Sequence, residues 1–219
     1  MTYPDLLALL LADARLPAAG HTQSGGLEPA LLGGMAPSRV RDYMAARLET
    51  VTRVEAATAV VTRARLLGDK PLTPVLRAWS ARTPSPALRS NAHLQGRALL
   101  RLTRTLWPGH RQLSLDGPLT PRAMVLGAIA AVAGIDAAAL TRVVAYDDLQ
   151  TVASAALKLH PDDPARTTGW VHDCFPLVDL LTAEVATLTD PADIPCVGAP
   201  QFEVWAQAHA TTPRRLFSA

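Results

Sequence analysis

Residues 11–28 read LADARLPAAGHTQSGGLE and lie between two apolar segments with helical spacing. A connection between packed helices usually takes about 2–8 residues and needs less special chemistry than this. Ser24 is a candidate N-cap for the helix that carries Leu27 and Glu28. We therefore predict an ordered elbow between two helices, and residues 11–28 are called the elbow below. Three of its residues permit positive φ or close backbone approach: Gly20, Gly25 and Gly26.

The composition indicates a folded, helical protein. Hydrophobic residues make up 49% of the 219-residue chain and charged residues 18%, which excludes a disordered composition. Aromatic residues contribute only 5%, and leucine and alanine, which dominate the apolar set, head the helix-propensity scale. No segment has the alternating pattern of a strand. We predict the all-α class, with a single helical bundle of about nine or ten helices.

Apolar spacing, capping residues and prolines define the boundaries of the predicted helices. In the first helix the apolar residues Leu6, Leu9 and Leu10 share a face. Residues 121–133 are apolar nearly all round, which predicts a central helix. Three predicted N-caps are Ser38, Ser85 and Asp136. The predicted helices cover residues 2–14, 26–32, 40–67, 74–82, 86–106, 121–133, 137–159, 168–188 and 200–210.

Gly96 interrupts the apolar stripe of one predicted helix. A glycine inside a helix costs up to about 1 kcal/mol relative to alanine, so its presence there needs a packing reason. We predict that it marks a close crossing of two helices.

Three features lead us to expect a cytoplasmic protein that does not enter a membrane. The start of the chain lacks the basic region and the uninterrupted apolar run of a signal peptide. The longest uncharged apolar stretch, residues 123–135, is shorter than the roughly 17–25 residues that a membrane span needs. Cys174 and Cys196 are too few for a disulfide framework or a zinc knuckle.

The net charge of +2 is the sum of a basic first half and an acidic second half of the chain. Residues 1–111 contain 15 Lys and Arg against 7 Asp and Glu, which gives +8, whereas residues 112–219 contain 6 against 12, which gives −6. The arginines of the first half lack the interleaved aromatic residues typical of nucleic-acid binding. We predict that the halves attract each other or present opposite faces to protein partners, and that no nucleic acid binds.

No catalytic constellation is recognisable in the sequence, and we predict neither catalytic residues nor metal ligands. A phosphate loop is excluded because the glycine-rich elbow lacks the required lysine and the preceding strand. His172 and Cys174 could offer two ligands to a metal ion, although residues two apart on a helix do not share a face. The adjacent carboxylates Asp147 and Asp148 are expected to be solvated surface charges.

We predict an all-helical domain over residues 1–210, followed by a tail over residues 211–219. Leaving Leu216 and Phe217 of the tail in water forgoes roughly 1.5–3 kcal/mol each that burial supplies. The pair can fold back on its own bundle or dock on a partner, with Arg214 and Arg215 donating to carboxylates. Taken alone, these residues favour fold-back.

The elbow resembles the N-terminal signature of the urease accessory protein UreF family, L-A-D-x-x-L-P-x-x-G-x-x-x-S-G-G-L-E. The sequence departs from that family at His21 and Gln23, where Phe and His are more frequent. A second family pattern, R-x-x-S/G-x-x-x-G-R/K-x-L-L, is similar to the run from Arg89 through Gly96 to Leu100. Both matches occur in the family's order.

Two further segments are similar to the same family. Lys158 and Pro161 match a region in which a basic residue precedes a P-[LF]-G-Q turn, although residues 162–164 depart from it. The family's C-terminal R-[LM]-F-x-S pattern resembles residues 215–217, with the serine shifted by one. His209 matches a family histidine ahead of the tail.

The resemblance implies an all-α chaperone, often dimeric, that bridges UreD (also called UreH) and the GTPase UreG during nickel delivery to urease. It implies modulation of GTP hydrolysis without catalysis by this chain. GTP with its magnesium would then belong to UreG, and nickel to the urease apoprotein. In that family the tail orders on contact with UreD.

The elbow, the basic segment and the tail are therefore the expected partner-binding regions. The predicted residues are Pro17, Gly20, His21, Ser24, Gly25, Gly26, Glu28, Lys158, His209, Arg214, Arg215, Leu216 and Phe217. Two alternatives stay open. One is an enzyme with an all-helical site around His172, Cys174 and the acidic second half of the chain. The other is a helical scaffold or regulator unrelated to urease.

Overall fold

A computed structural model describes residues 3–13, 15–17, 22–113, 115, 119–213 and 215–217 of the protein. Every regular element in these ranges is helical, which confirms the predicted all-α class. Short 3-10 helices cover Pro37–Arg39, Arg111–Leu113 and Pro191–Asp193. The α-helices are α1 (Pro4–Leu11), α2 (Leu27–Leu32), α3 (Val40–Glu49), α4 (Val51–Leu67), α5 (Thr73–Arg82), α6 (Pro86–Leu106), α7 (Arg122–Ala133), α8 (Ala137–Leu159), α9 (Pro164–Asp173), α10 (Phe175–Val185) and α11 (Pro200–Ala210).

Helix α7 lies at the centre of the bundle, as its apolar sequence predicted. Nine of its twelve residues are buried, and it packs against α4 on one side and α6 on another. Helix α8 packs in turn against α4, α9 and α10. Of the described helices, α7 included, none is both long enough and apolar enough to cross a membrane.

Two of the predicted helices are each divided in the structure. The predicted helix 40–67 is broken at Thr50, whose φ of −124° and ψ of −92° lie outside the helical region. The predicted helix 168–188 is broken at Cys174, between α9 and α10. Pro176 explains the second break, because it lacks an N–H and its ring clashes with the carbonyl of the preceding turn.

The predicted N-caps are confirmed at two positions and wrong at a third. Ser85 Oγ accepts a backbone N–H of α6 at 3.4 Å, and Asp136 Oδ1 accepts one of α8 at 2.7 Å. Ser38 is not a cap, because it lies inside the 3-10 helix that precedes α3. Asp163, which was not predicted, caps α9 and makes that helix begin at Pro164, before the predicted start.

Gly96 lies where α6 crosses the start of α7 at close range, which confirms the predicted close crossing. A Cβ atom at this position would overlap the carbonyl oxygen of Thr120 and lie 3.2 Å from the backbone nitrogen of Arg122. The absence of a side chain therefore sets the distance between the two helices.

Helix α1 turns much of its apolar surface towards solvent. Leu6 and Leu9 are 64% and 69% exposed, and Leu10 is 41% exposed. Leu11, where the helix ends, is buried against the core. Apolar spacing thus predicted the helix but did not identify its buried side.

Ion pairs join the basic first half of the chain to the acidic second half. This agrees with the prediction that the two halves attract each other. They connect α3 to α9 and α8, and α4 to α10. The pairs are Arg41–Asp173, Arg47–Asp148 and Arg53–Glu184, with N–O distances of 3.0, 2.5 and 2.6 Å.

Candidate interaction site formed by the elbow and the tail

The elbow enters α2 through two consecutive residues in the left-handed backbone region. Gly25 has a φ of 60° and Gly26 a φ of 78°, which glycine adopts without steric cost. A Cβ atom on Gly26 would also lie 2.9 Å from the hydroxyl of Tyr43. Ser24 Oγ accepts the Glu28 N–H at 3.4 Å, so it serves the helix start although Gly26 occupies the N-cap position. This end of the elbow is ordered, as predicted.

Side chains from α3 hold the carbonyl group of Gly25. Tyr43 Oη donates to it at 2.7 Å and Arg47 Nη1 at 2.6 Å. The same guanidinium donates to both carboxylate oxygens of Asp148 on α8, at 3.0 Å from Nε and 2.5 Å from Nη2. Thr52 Oγ1 donates to Asp148 Oδ2 at 2.7 Å. These bonds tie the elbow to α3, α4 and α8.

Burial and ion pairing shift the pKa values of this cluster. Burial raises the pKa of Tyr43, so its hydroxyl stays a hydrogen-bond donor. Burial alone would lower the pKa of Arg47, but the interactions with Asp148 and Tyr43 together outweigh it and the net shift is upward. Burial also raises the pKa values of two nearby carboxyl groups, Glu55 and Asp147. The fixed positive charge of Arg47 therefore anchors the elbow carbonyl at neutral pH.

The structure contradicts the expectation that Asp147 and Asp148 are solvated surface charges. Their side chains are only 22% and 19% exposed, and they pair with Arg122 and Arg47 respectively. Consecutive helical residues point about 100° apart, so the two carboxylates reach different helices, α7 and α3. The expectation failed because the sequence does not reveal that other helices surround this part of α8.

Glu28 is the contact point between the elbow and the tail. The residue is only 5% exposed. Its Oε1 accepts the Leu216 N–H at 2.6 Å and its Oε2 accepts the Phe217 N–H at 2.9 Å. His209 Nε2, at the end of α11, lies 3.0 Å from the same Oε2. One buried carboxylate thus binds two backbone N–H groups of the tail and a side chain of the last helix.

The ionisation of Glu28 reflects two opposing effects. Burial raises its pKa, because it disfavours the charged form. The hydrogen bonds from Leu216, Phe217 and His209 favour the charged form and outweigh burial, so the pKa lies below its ordinary value. Glu28 is therefore ionised at neutral pH, and hydrogen bonds to an ionised acceptor are roughly twice as strong as neutral ones.

The two apolar residues of the tail point in opposite directions. Phe217 is 4% exposed, and Lys158 Nζ lies 5.3 Å from its ring centroid in a cation–π contact. Leu216 is 64% exposed. Arg215 Nη1 lies 3.4 Å from the carbonyl oxygen of His209. The fold-back that the residues favoured is present at Phe217, while Leu216 remains in water.

A cavity of about 530 Å³ lies beside this site, and the tail forms part of its wall. The elbow, helices α2 to α8 and the end of α11 contribute to the rest of its lining. Along α8 the lining residues are mostly polar, and they are Val144, Asp147, Asp148, Gln150, Thr151, Ser154 and Lys158. The cavity therefore presents charges of both signs to its contents.

Most of the predicted partner-binding residues come together here from three distant parts of the chain. Pro17 is exposed on the earlier part of the elbow and takes no part in the hydrogen bonds described above. Gly20, His21 and Arg214 lie outside the described residues. Those at the site are Ser24, Gly25, Gly26, Glu28, Lys158, His209, Arg215, Leu216 and Phe217.

The sequence analysis did not predict the side chains of α3 that hold the elbow in place. Tyr43 and Arg47 are four residues apart on α3, and that spacing places both side chains on one face. The spacing was visible in the sequence, but their shared acceptor, the carbonyl of Gly25, was not. No sequence signal connects either residue to Asp148, which is about 100 positions away.

The structure does not assemble a metal site around His172 and Cys174. His172 is exposed, with its ring centroid 5.3 Å from that of Phe175, whereas Cys174 is 3% exposed. Burial raises the pKa of the Cys174 thiol, which disfavours the thiolate that metals bind. In the described part of the chain no three His, Cys, Asp or Glu side chains are placed to hold a metal ion.

These features define an all-α bundle in which a buried carboxylate of the N-terminal elbow binds the C-terminal tail. A family model described as UreF matches residues 36–174. The urease accessory protein UreF of Mycobacterium sp. (strain JLS) is 36% identical over 213 residues, covering 96% of both chains. The protein of the same name from Mycolicibacterium vanbaalenii is 34% identical over 217 residues, again covering 96% of each.

A further relative, the urease accessory protein UreF of Mycobacterium tuberculosis (strain ATCC 25618 / H37Rv), is 32% identical over 215 residues. That alignment covers 95% of this chain and 96% of the relative. The chain therefore belongs to the urease accessory protein UreF family. The elbow and the tail lie outside the part that the family model matches, whereas the pairwise alignments cover nearly the whole chain.

Proposed function

We propose that this chain is a non-catalytic adaptor in the insertion of nickel into urease. It bridges UreD and the GTPase UreG, modulates GTP hydrolysis by UreG, and acts as a homodimer in the cytoplasm together with the urease apoprotein. GTP and magnesium are bound by UreG in this proposal, and nickel is cargo for urease. The chain itself supplies surfaces that position its partners.

The observation that carries the proposal is the convergence of elbow and tail at Glu28. The elbow and the tail, which both resemble patterns of the family, are far apart in sequence, yet their contact produces one surface. On that surface Leu216 is 64% exposed beside Arg215. An exposed apolar side chain next to a guanidinium suits a protein partner that offers an apolar recess and carboxylates.

The test is co-expression with UreD and UreG, followed by size-exclusion chromatography. We expect a stable complex that Leu216→Ala or Arg215→Ala weakens, because both side chains belong to the proposed contact. Leu180→Ala is the matched control, since Leu180 is 67% exposed on α10, a helix that packs against α3, α4, α8 and α9. A chain that elutes alone in the presence of both partners would overturn the proposal and reduce the family membership to shared ancestry.

The second part of the proposal concerns UreG. We expect the assembled complex to change the rate of GTP hydrolysis by UreG, whereas this chain alone should hydrolyse no GTP. Phosphate release measured for UreG with and without the complex checks this expectation. An unchanged rate in a complex that does contain UreG would remove GTPase modulation from the proposal and leave the bridging role.

A further inference from the structure

We infer that α6 carries a second protein-binding surface, formed by Arg97, Arg101 and Arg104, whose partner presents carboxylates. These three residues are called the arginine face below. The inference rests on the proposed function, because the partner is another protein of the urease assembly. It goes beyond that function by assigning a contact away from the elbow and the tail, and by giving its chemistry.

The basic excess of the first half of the chain comes entirely from one segment. Residues 1–69 contain 7 Lys and Arg against 7 Asp and Glu, whereas residues 70–115 contain 8 Lys and Arg and no acidic residue. The segment includes α5, α6 and the 3-10 helix Arg111–Leu113. Its positive charge therefore has no counter-charge within the segment.

Three of these cations form a row on the outer side of α6. Arg97, Arg101 and Arg104 are spaced four and three residues apart, which places them on one helix face, and all three are exposed. Among the described residues, no ion pair involves Arg101 or Arg104. Like charges at this spacing repel each other and destabilise a helix, so carboxylates from another protein would relieve the repulsion.

Roles within the fold explain other arginines of the segment better than they explain the arginine face. Arg82 and Arg89 donate to backbone carbonyl groups of their own chain. Arg104 lies in the last turn of α6, where the helix dipole favours a cation, but Arg97 and Arg101 lie before that turn. In the described part of the chain Arg101 has neither role, which leaves a contact outside the chain.

A small cavity lies at the end of the arginine face. It has a volume of about 210 Å³, and its wall includes Arg104, Trp107 and His110. Leu106, the neighbour of Trp107 in sequence, is 41% exposed. A guanidinium and an imidazole beside apolar side chains suit an Asp or Glu side chain of a protein partner.

Protein carboxylates fit this surface better than the phosphates of a nucleic acid. Binding of single-stranded nucleic acid combines positive charge with aromatic rings on which bases stack. Residues 70–113 contain neither Phe nor Tyr, and their two tryptophans are Trp79, which is buried, and Trp107, which is half-buried. The arginine face therefore lacks a stacking platform.

The arginine face and the elbow–tail surface use different parts of α6. The α6 residues that line the cavity beside the tail lie between Ala87 and Gln95. Arg104 lies nine residues beyond Gln95, which corresponds to about 14 Å along the helix. The two surfaces can therefore contact different parts of the assembly.

The first measurement is zero-length cross-linking in an assembly with UreD, UreG and the urease apoprotein. A carbodiimide joins a lysine ammonium group to a carboxylate in direct contact and leaves arginine unreacted, so Arg101→Lys and Arg104→Lys keep the charge and add a reactive group. We expect mass spectrometry to find these positions joined to an Asp or Glu of another protein. Arg142→Lys is the matched control, because Arg142 lies 3.7 Å from Asp179 and should cross-link within the chain.

The second measurement is the dissociation constant of the cross-linked partner. We expect Arg101→Glu/Arg104→Glu to weaken binding at least about tenfold, and Arg101→Gln/Arg104→Gln to weaken it in the same direction. Arg142→Glu/Arg166→Glu changes the net charge as much as the first variant, at exposed arginines of α8 and α9, and should change binding less than about twofold. Equal weakening by both glutamate variants would show an effect of net charge alone and would overturn the contact.

The outcomes separate failure of the inference from failure of the proposed function. A wild-type chain that joins no assembly would overturn both. An assembly that forms without a cross-link from either position to another protein would overturn the inference alone. Cross-links to a second copy of this chain, or retention of duplex DNA that is lost only in Arg101→Glu/Arg104→Glu, would assign the arginine face to a different ligand and overturn it as well.

Discussion

Arg47 contacts two distant parts of the chain through one guanidinium, the carbonyl of Gly25 and the carboxylate of Asp148. The Arg47 side chain is only 9% exposed, so its charge depends on that carboxylate for compensation. Removing one partner of a buried ion pair is far more costly than replacing both, because an uncompensated charge remains. The Arg47–Asp148 pair is therefore a main support of the elbow, beside the Tyr43 hydrogen bond to the same carbonyl.

We predict that Asp148→Asn lowers the free energy of unfolding by about 3 kcal/mol, near the cost of breaking a buried ion pair. Chemical denaturation measures this change. Asp42→Asn is the control, because the Arg39–Asp42 pair is 66% and 61% exposed. Exposed pairs contribute roughly 0–1 kcal/mol, so its effect should be small. Equal losses in both variants would contradict the assigned role of Asp148.

The pKa of Glu28 predicts how the tail responds to acid. A carboxylate whose pKa is lowered by folding stabilises the structure above its unfolded pKa, and that contribution is lost as pH falls through the folded pKa. We therefore expect the tail to be released only when the pH falls below the ordinary pKa of glutamate, because the folded pKa is the lower of the two. Glu28 must be ionised for this response to occur.

Protection factors of the Leu216 and Phe217 amides between pH 7 and pH 3 check the expected release. Circular dichroism at each pH shows whether the helices persist. Glu28→Gln provides the comparison, since it has no group at this position that titrates. Identical pH profiles for wild type and Glu28→Gln would exclude Glu28 as the titrating group.

At the scale of helices, capping residues decide where a helix begins, and small residues decide how closely two helices pack. The α6–α7 crossing depends on the missing side chain at Gly96. By contrast, Gly169 lies inside α9 with open space around its missing Cβ. Replacing each glycine with alanine should therefore change the stability in opposite directions, although both residues lie in helices.

We predict that Gly96→Ala destabilises the protein by about 1–3 kcal/mol, because the added methyl group overlaps the carbonyl of Thr120. Gly169→Ala should instead stabilise it by up to about 1 kcal/mol, through the higher helix propensity of alanine. Thermal or chemical denaturation of both variants measures the two signs. A stabilising effect at Gly96 would show that the crossing has room for a side chain.

At the scale of the whole molecule, the surface proposed for partner binding exists only where both ends of the chain meet. Elbow and tail each hold part of it, and α8 and α11 support the contact. Removing the tail should therefore weaken the function of this chain with its partners more than it lowers the stability of the helical bundle.

We predict that a chain lacking residues 211–219 activates urease at least about tenfold less than wild type in cells deprived of their own UreF. Urease activity per amount of urease protein is the measurement, with Leu180→Ala expected to match wild type. Full activation by the shortened chain would contradict a role for the tail in urease maturation.

Local interactions explain what could be predicted from the sequence. The predicted boundaries of α6 and α11 agree with the structure, and Ser85 and Asp136 cap their helices as expected. Caps, prolines and glycines act within about four residues, so the information needed is adjacent in sequence. The all-α class follows from the same propensities, summed over the chain.

Burial and long-range contacts were decided only by the tertiary structure. Asp148 was expected on the surface and is paired inside, whereas Leu6 and Leu9 belong to an apolar face that points to solvent. The bonds from Leu216 and Phe217 to Glu28 join residues nearly 190 positions apart. Which of a helix's faces is covered depends on distant helices that pack around it, and no local pattern encodes their positions.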